Sequence, residues 1–292
     1  MQKKKKATPK PKPVSIVESI PIEEQHNVIF KPNDGPQTSF LAAGEREVLY
    51  GGSAGGGKSY AMLADPLRYM GHPAFSGLLL RHTTEELREL IFKSQEMYPK
   101  IWPGIKWSER KMQWTAPSGA RLWMSYLDRE DDVLRYQGLA FSWIGFDELT
   151  QWPSPFAWNY MRSRLRSTAP DLPVYMRATT NPGGRGHHWV KKMFIDPAAH
   201  NKAFDATDIE TGEVLKYPAG HEKAGRSLFK RKFIPARLSD NPYLSRQGDY
   251  EAMLLSLPEQ QRRQLLDGDW DIKEGAAFTE FDRSIHVIEP FD

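Results

Sequence analysis

Residues Gly52-Ser53-Ala54-Gly55-Gly56-Gly57-Lys58-Ser59 constrain this chain more than any other stretch, because they fit the pattern G-x-x-x-x-G-K-[S/T]. Glycines let a backbone curl until its N–H groups converge on phosphate oxygens. A helix starting at the lysine adds the positive end of its dipole. Lys58 is placed to reach β and γ phosphates, and the Ser59 hydroxyl to ligate magnesium. The surroundings suit the pattern. Glu47-Val48-Leu49-Tyr50 reads as a buried strand running into the loop, and Lys58–Met70 as the helix leaving it.

Hydrolysis of a bound nucleotide needs a carboxylate for the metal and a group that activates water. Phe141-Ser142-Trp143-Ile144-Gly145-Phe146-Asp147-Glu148 offers both where an apolar strand emerges at its carboxyl end. In open α/β sheets that edge is where ligands bind. Asp147 is the candidate metal carboxylate and Glu148 the candidate general base. A third strand, Val174–Thr180, ends in Thr180-Asn181-Pro182. Thr180 and Asn181 either touch the γ-phosphate or lytic water, or mark an ordinary strand-to-turn exit.

The remaining pattern is that of an α/β protein. Phe75–His82 reads as a second buried strand. Thr83-Thr84-Glu85-Glu86 is a capping box ahead of a helix carrying Leu87, Leu90, Ile91, Met97 and Tyr98. Lys111–Ala116 and Arg121–Leu127 flank Pro117-Ser118-Gly119 as a hairpin. Helices are expected over Phe156–Leu165 and His187–Ile195, a loop or insertion over residues 196–226, a strand over Ser227–Arg237, and short helices over Gln247–Leu257 and Pro258–Asp267. Strands alternating with helices predict a mostly parallel central sheet flanked by helices.

Composition narrows the function classes. In 292 residues there is no cysteine, which excludes a disulfide scaffold and any thiolate metal site. No apolar run reaches eighteen residues, so no helical membrane span is predicted. The net charge of +3 is produced by the first thirteen residues. They hold Lys3, Lys4, Lys5, Lys6, Lys10 and Lys12 and no acid, and removing those six from 40 basic residues leaves 34 against 37 acids, or −3. Residues 1–28 read as a disordered basic arm, either a solubilising tail or a tether to nucleic acid or a partner. Nucleic-acid contact must then rest on local patches. Residues 161–195 hold Arg162, Arg164, Arg166, Arg177, Arg185, Lys191 and Lys192, and residues 226–237 hold Arg226, Lys230, Arg231, Lys232 and Arg237. Each stretch equally fits a solvated face or inter-subunit pairing. His187-His188 has no further ligand at metal spacing, so zinc is not expected. Trp143, Phe146, Trp152, Phe156 and Trp158 are read as packing rather than base stacking.

Taken in order, these segments resemble the large terminase subunit of tailed bacteriophages, over roughly residues 30–285. Phe30-Lys31-Pro32 and Gly35-Pro36-Gln37 look like its adenine-recognising segment. Leu49-Tyr50-Gly51-Gly52 leads into the P-loop, and Tyr136-Gln137-Gly138-Leu139-Ala140-Phe141 into Asp147-Glu148. Ala178-Thr179-Thr180-Asn181-Pro182 looks like its coupling motif. Phe233-Ile234-Pro235-Ala236, Asp240-Asn241-Pro242-Tyr243-Leu244 and Leu266-Asp267-Gly268-Asp269-Trp270 resemble its helical lid.

The resemblance implies a P-loop NTPase core over 29–226, a small C-terminal helical lid subdomain over 227–275, and a linker over 276–292, toward a nuclease domain, without nuclease activity in this chain. It implies ATP and Mg2+ as ligands. Gln37 would read the adenine, with residues 52–59, Tyr60, Thr180 and Asn181 around the nucleotide. The implied function is an ATPase that translocates double-stranded DNA into procapsids. Its partners would be the portal protein, the small terminase subunit and further copies in a ring, with a monomer as the alternative state of the isolated chain, in the host cytoplasm. A helicase-like, nucleic-acid-stimulated ATPase is the alternative function. Many relatives carry an arginine within the P-loop, whereas residues 53–56 here have none. Arg135 is the candidate charge-stabilising arginine, offered to the next subunit, unless it pairs with Asp131 or Asp132 at helical spacing. Arg81 is the second candidate.

Overall fold

A computed structural model describes residues 28–246 and 248–272. The expected basic arm up to residue 27 and the segment from 273 onward, including the expected linker over 276–292, lie outside the described residues. The chain divides into a short unit, Met1–Lys31, and a large one, Pro32–Asp292.

Among the described residues, nine strands form one sheet in the order β3-β4-β5-β2-β6-β7-β1-β9-β8. They are β1 Glu47–Gly52, β2 Ser76–Arg81, β3 Lys106–Ser108, β4 Gln113–Thr115, β5 Arg121–Tyr126, β6 Trp143–Asp147, β7 Tyr175–Thr180, β8 Ala203–Asp205 and β9 Lys230–Ala236. The six strands β5-β2-β6-β7-β1-β9 are parallel. Antiparallel β3-β4 and β8 close the two ends. The mostly parallel sheet predicted from the strand–helix alternation is thus observed.

Alternation along β1 divides the core. Leu49 packs on one face with Phe146, Ala178, Trp158 and Phe194. Val48 and Tyr50 pack on the other with Phe40 of helix α1 (Pro36–Ala42) and Ala61 of helix α2 (Lys58–Ala64). A sheet buried on both faces needs near-continuous apolar strands, and β1, β6 and β7 are buried throughout. Trp143, Phe146, Trp152 and Trp158 lie in this core as expected, whereas Phe156 is 46% exposed.

The predicted capping box is present at helix α3 (Thr84–Ile101). Glu86 N donates to Thr83 Oγ1 at 3.3 Å, and Thr83 N to Glu86 Oε2 at 3.2 Å. Such a cap contributes about 1 kcal/mol.

Several bounds differ from expectation, for local reasons. The helix after the P-loop is α-helical only to Ala64, because Pro66 has no N–H to continue the i to i−4 bonding; Asp65 keeps helical dihedrals, and a 3-10 segment, Asp65–Tyr69, follows. Helix α4 spans Phe156–Arg162. The expected helix over His187–Ile195 is α5 (His187–Val190) followed by a π-helical turn, Lys191–Ile195. Helix α1 has no counterpart among the sequence expectations, although Gly35 at φ 89° and Pro36 at the first helical position are its start signals. The strand expected over Ser227–Arg237 is observed as β9, Lys230–Ala236, and it pairs in parallel with β1 along the whole of β1. The helices beyond it are α6 (Pro242–Ser245), α7 (Asp249–Leu255) and α8 (Glu259–Arg262), ending in a π-helical turn, Arg263–Asp267.

Candidate active site

β1 delivers Gly52 at φ 139°, and Gly55 and Gly57 also have positive φ, so the loop curls as its sequence requires. A Cβ on Gly52 would stand 2.3 Å from the Ala236 carbonyl oxygen, which fixes glycine there. The loop is braced by later parts of the chain. Ser53 N donates to Ala236 O at 2.8 Å, Ala54 N to Leu265 O at 2.6 Å, and Asn241 Nδ2 to Gly55 O at 2.7 Å. The amides of Lys58 and Ser59, in the first turn of α2, have no intrahelical acceptor and are available to an anion.

Lys58 folds inward. Its Nζ donates to Ser53 O at 2.6 Å and to Asn181 Oδ1 at 2.7 Å. Burial pushes its pKa down, against the pull of Glu148 and Asp147. Asn181 sits just beyond β7, next to β1 in the sheet, and its backbone N–H donates to Glu148 Oε2 at 3.3 Å. Asn181 therefore joins the P-loop lysine to the candidate base.

Asp147 ends β6 and is buried. Thr179 Oγ1 donates to its Oδ1, and Arg81 Nη1 lies 2.9 Å from its Oδ2. Glu148 follows with φ 60°, a left-handed conformation that costs a non-glycine residue about 1–3 kcal/mol. That turn swings the carboxylate from the strand line toward Asn181. Desolvation first, then the neighbouring Asp147 charge, raise its pKa, which strengthens it as a base. Thr150 and Thr180 hydroxyls lie 2.7 Å apart and tie the segment after Glu148 to the end of β7.

The donor chemistry suits a hard divalent cation. Asp147 supplies a carboxylate oxygen at the sheet edge, and Ser59 a hydroxyl in the first turn of α2. Among the described residues no cluster of three or more His, Asp or Glu forms a protein-only metal cage. The donors present fit magnesium that completes its shell with phosphate and water.

The other candidates are distributed unequally. Gln37 is buried beside the loop. Its Oε1 accepts from Asn33 N at 2.6 Å and its Nε2 donates to Gly57 O at 2.9 Å. One Nε2 hydrogen is left for a base. Tyr60 is exposed, with Lys93 Nζ 5.8 Å from its ring centre. Arg135 lies in a 3-10 segment, Glu130–Tyr136, beyond β5, four strands from the P-loop strand. Its Nη2 donates to Tyr126 O at 2.7 Å and lies 3.7 Å from Asp132 Oδ2. The pairing with Asp132 weighed from the spacing is therefore observed, and Arg135 is half exposed and remote from its own chain's P-loop. Of the two candidate arginines, Arg81 is the one brought into the site. Its position at the end of β2, the strand beside β6, is the available sequence signal.

Both basic stretches are depleted by internal pairing. Arg162 and Arg231 both bind the buried Glu47. Arg177 is buried and donates to Ala43 O and Glu45 O. Lys191 pairs with Asp271 at 2.6 Å. Exposed basic residues remain at Arg166, Arg185, Lys192, Arg226, Lys230 and Arg237.

A family model described as terminase large subunit, T4-like-virus type, N-terminal, matches residues 49–285. The large terminase of a thermophilic bacteriophage superposes with a TM-score of 0.60 at 18% identity, covering 87% of this chain and 57% of that one. A structure of the same terminase in complex with ADP gives 0.59 at 19%, covering 89% and 60%. The large terminase ATPase domain of Thermus phage P74-26 gives 0.54 at 13%, covering 86% of this chain and 98% of that one. At these identities the likeness establishes a shared fold. The chain spans less than two thirds of the length of the first two of these structures. No curated protein sequence matches it.

Proposed function

The chain belongs to the terminase large-subunit family of the T4-like-virus type, and from that premise we propose that it is the ATP-hydrolysing part of a motor that drives double-stranded DNA into a viral procapsid. The observation that carries this reading is the meeting of Lys58 and Glu148 on Asn181, beside a braced phosphate loop. ATP would lie along residues 52–59, with Lys58 and the first amides of α2 on its phosphates. Ser59 and Asp147 would hold Mg2+, which neutralises phosphate charge when bound. Glu148, its basicity raised by burial, takes the proton of a water positioned near Asn181 and Thr180. Gln37 offers its remaining Nε2 hydrogen to the adenine, and Tyr60 borders the site.

DNA contacts in this reading are backbone contacts, since a packaging motor must accept any sequence. The portal protein, the small terminase subunit and further copies of this chain in a ring are the proposed partners, in the host cytoplasm at the procapsid. Arg135, exposed and away from its own nucleotide, is assigned to a neighbouring subunit's site. No nuclease step is assigned to this chain. The deciding experiment is magnesium-dependent ATP turnover as a function of protein concentration. A per-subunit rate that climbs with concentration supports a shared site, and absence of turnover at every concentration overturns the reading.

A further inference from the structure

His187 touches both the loop that leaves the nucleotide site and the last described part of the chain. Its Nδ1 lies 2.8 Å from the N–H of Gly183, two residues beyond Asn181, and accepts that hydrogen bond. A ring nitrogen that accepts leaves the proton on the other one, so Nε2 donates to the Trp270 carbonyl oxygen at 3.2 Å. The imidazole also stacks on the Trp270 indole, with ring centres 5.3 Å apart and planes at 25°. One helical turn later, Lys191 Nζ binds the Asp271 carboxylate at 2.6 Å. Two residues on one face, His187 and Lys191, thus hold two consecutive residues of the C-terminal segment.

Both ends of this bridge are constrained. Asn181 accepts from Lys58 and donates to Glu148, so its surroundings change when Lys58 turns to a phosphate. Only Pro182, with its fixed φ, stands between Asn181 and Gly183, and a displacement passes through it with little slack. The helix bearing His187 is pinned elsewhere: Gly186 N donates to Thr150 O at 2.7 Å, and Trp189 Nε1 to Trp152 O at 2.8 Å. Trp270 is buried and meets Phe233 of β9 edge-on at 6.1 Å. A Cβ on Gly51 of β1 would lie 3.5 Å from its ring.

We propose that His187 is a positioning residue that relays the state of Asn181 to the segment at Trp270-Asp271, so that a nucleotide's γ-phosphate alters the chain's exit from the ATPase core. The relay rests on the assignment of residues 52–59 and Asn181 to the nucleotide. It adds a route to Trp270-Asp271 beside the direct contact of the P-loop with residues 265–268, where Ala54 N donates to Leu265 O.

Amide hydrogen exchange on the full chain, with ADP or ATPγS and Mg2+, tests it. In the wild type, exchange over residues 181–190 and 269–272 should both differ between the two nucleotides. The difference at 269–272 should be about fivefold, the factor that one net hydrogen bond typically commands. Residues 265–268, which the P-loop itself touches, are read apart. His187→Asn keeps an acceptor near Gly183 but does not reach Trp270; His187→Gln reaches toward Trp270 but leaves Gly183. Each should retain the melting temperature within a few degrees and the protection of residues 52–59. Each should lose the response at 269–272, and His187→Asn should keep the one at 181–190. A wild-type-sized response at 269–272 in either variant, or none in the wild type despite protection at 52–59, overturns the relay. No protection at 52–59 with either nucleotide overturns the nucleotide assignment itself, and the relay with it.

Discussion

The guanidinium of Arg81 lies 2.9 Å from the carboxylate of Asp147. The two end adjacent parallel strands, so the pair forms at the edge where the phosphate loop also opens. Arg81 Nε is buried without a hydrogen bond, and Glu86 Oε2 stands 3.9 Å away. The cation also holds down part of the rise in the Glu148 pKa. Removing it by Arg81→Ala should raise that pKa further. Because the base must be ionised, the acid limb of the pH profile of kcat/KM should move to higher pH. An unmoved limb would show that Arg81 acts on Asp147 alone.

Glu148→Gln should cut ATP turnover by about 10²–10⁴-fold, the usual contribution of a general base. ATP should still bind, since Lys58 and the loop amides are untouched. Lys58→Ala should instead weaken binding, and chelating magnesium should abolish turnover in the wild type. Equilibrium binding and steady-state hydrolysis, measured side by side, separate these effects. Wild-type turnover in Glu148→Gln would remove the residue from the chemistry.

Gln37→Ala should act on both the loop and the base. It removes the hydrogen bonds to Asn33 N and Gly57 O, of which a typical one contributes about 1 kcal/mol. A lowered melting temperature reports the loop brace. A smaller preference for ATP over GTP reports the adenine contact, and unchanged selectivity would leave Gln37 a brace only.

Glu47 is buried between Arg162 and Arg231 at the start of β1. Burial alone would raise its pKa, but the two arginines outweigh burial and hold it below the ordinary value. A depressed folded-state pKa means that this contribution is complete above the unfolded value, near 4.5, and is lost as pH falls through the folded one. Glu47→Gln should destabilise the fold by about 3–5 kcal/mol, the usual cost of breaking a buried pair. It should also flatten the stability curve below that pH. Denaturant melts between about pH 3 and pH 7, the range in which carboxylates titrate, check both.

Arg135→Ala and Glu148→Gln subunits should each be inactive alone. Mixed, some interfaces would combine an intact arginine with an intact base, and hydrolysis should partly return. Arg81 lies within the same chain's site as Glu148, so mixtures of Arg81→Ala with Glu148→Gln should recover nothing beyond the sum of the parts. No recovery in Arg135 mixtures, with assembly confirmed by light scattering, would leave that residue to its contacts with Asp132 and Tyr126.

The sequence by itself determined the parts whose physics is local. The phosphate loop, the α3 cap and the strand that ends in Asp147-Glu148 are each written within about ten residues, because turn geometry, capping and apolar runs are short-range effects. Tertiary structure decided what each charge is for. Arg162 and Arg231 look like DNA-binding residues in the chain, yet they meet Glu47 across 115 and 184 positions. Arg81 reaches Asp147 across 66 positions, and Leu265 braces Ala54 from the far end of the chain. The strand at 230–236 was legible as a strand, but its place beside β1 was not. These pairings follow from the order of strands in the sheet. That order is fixed by the burial of all strands together, and no spacing within one segment records it.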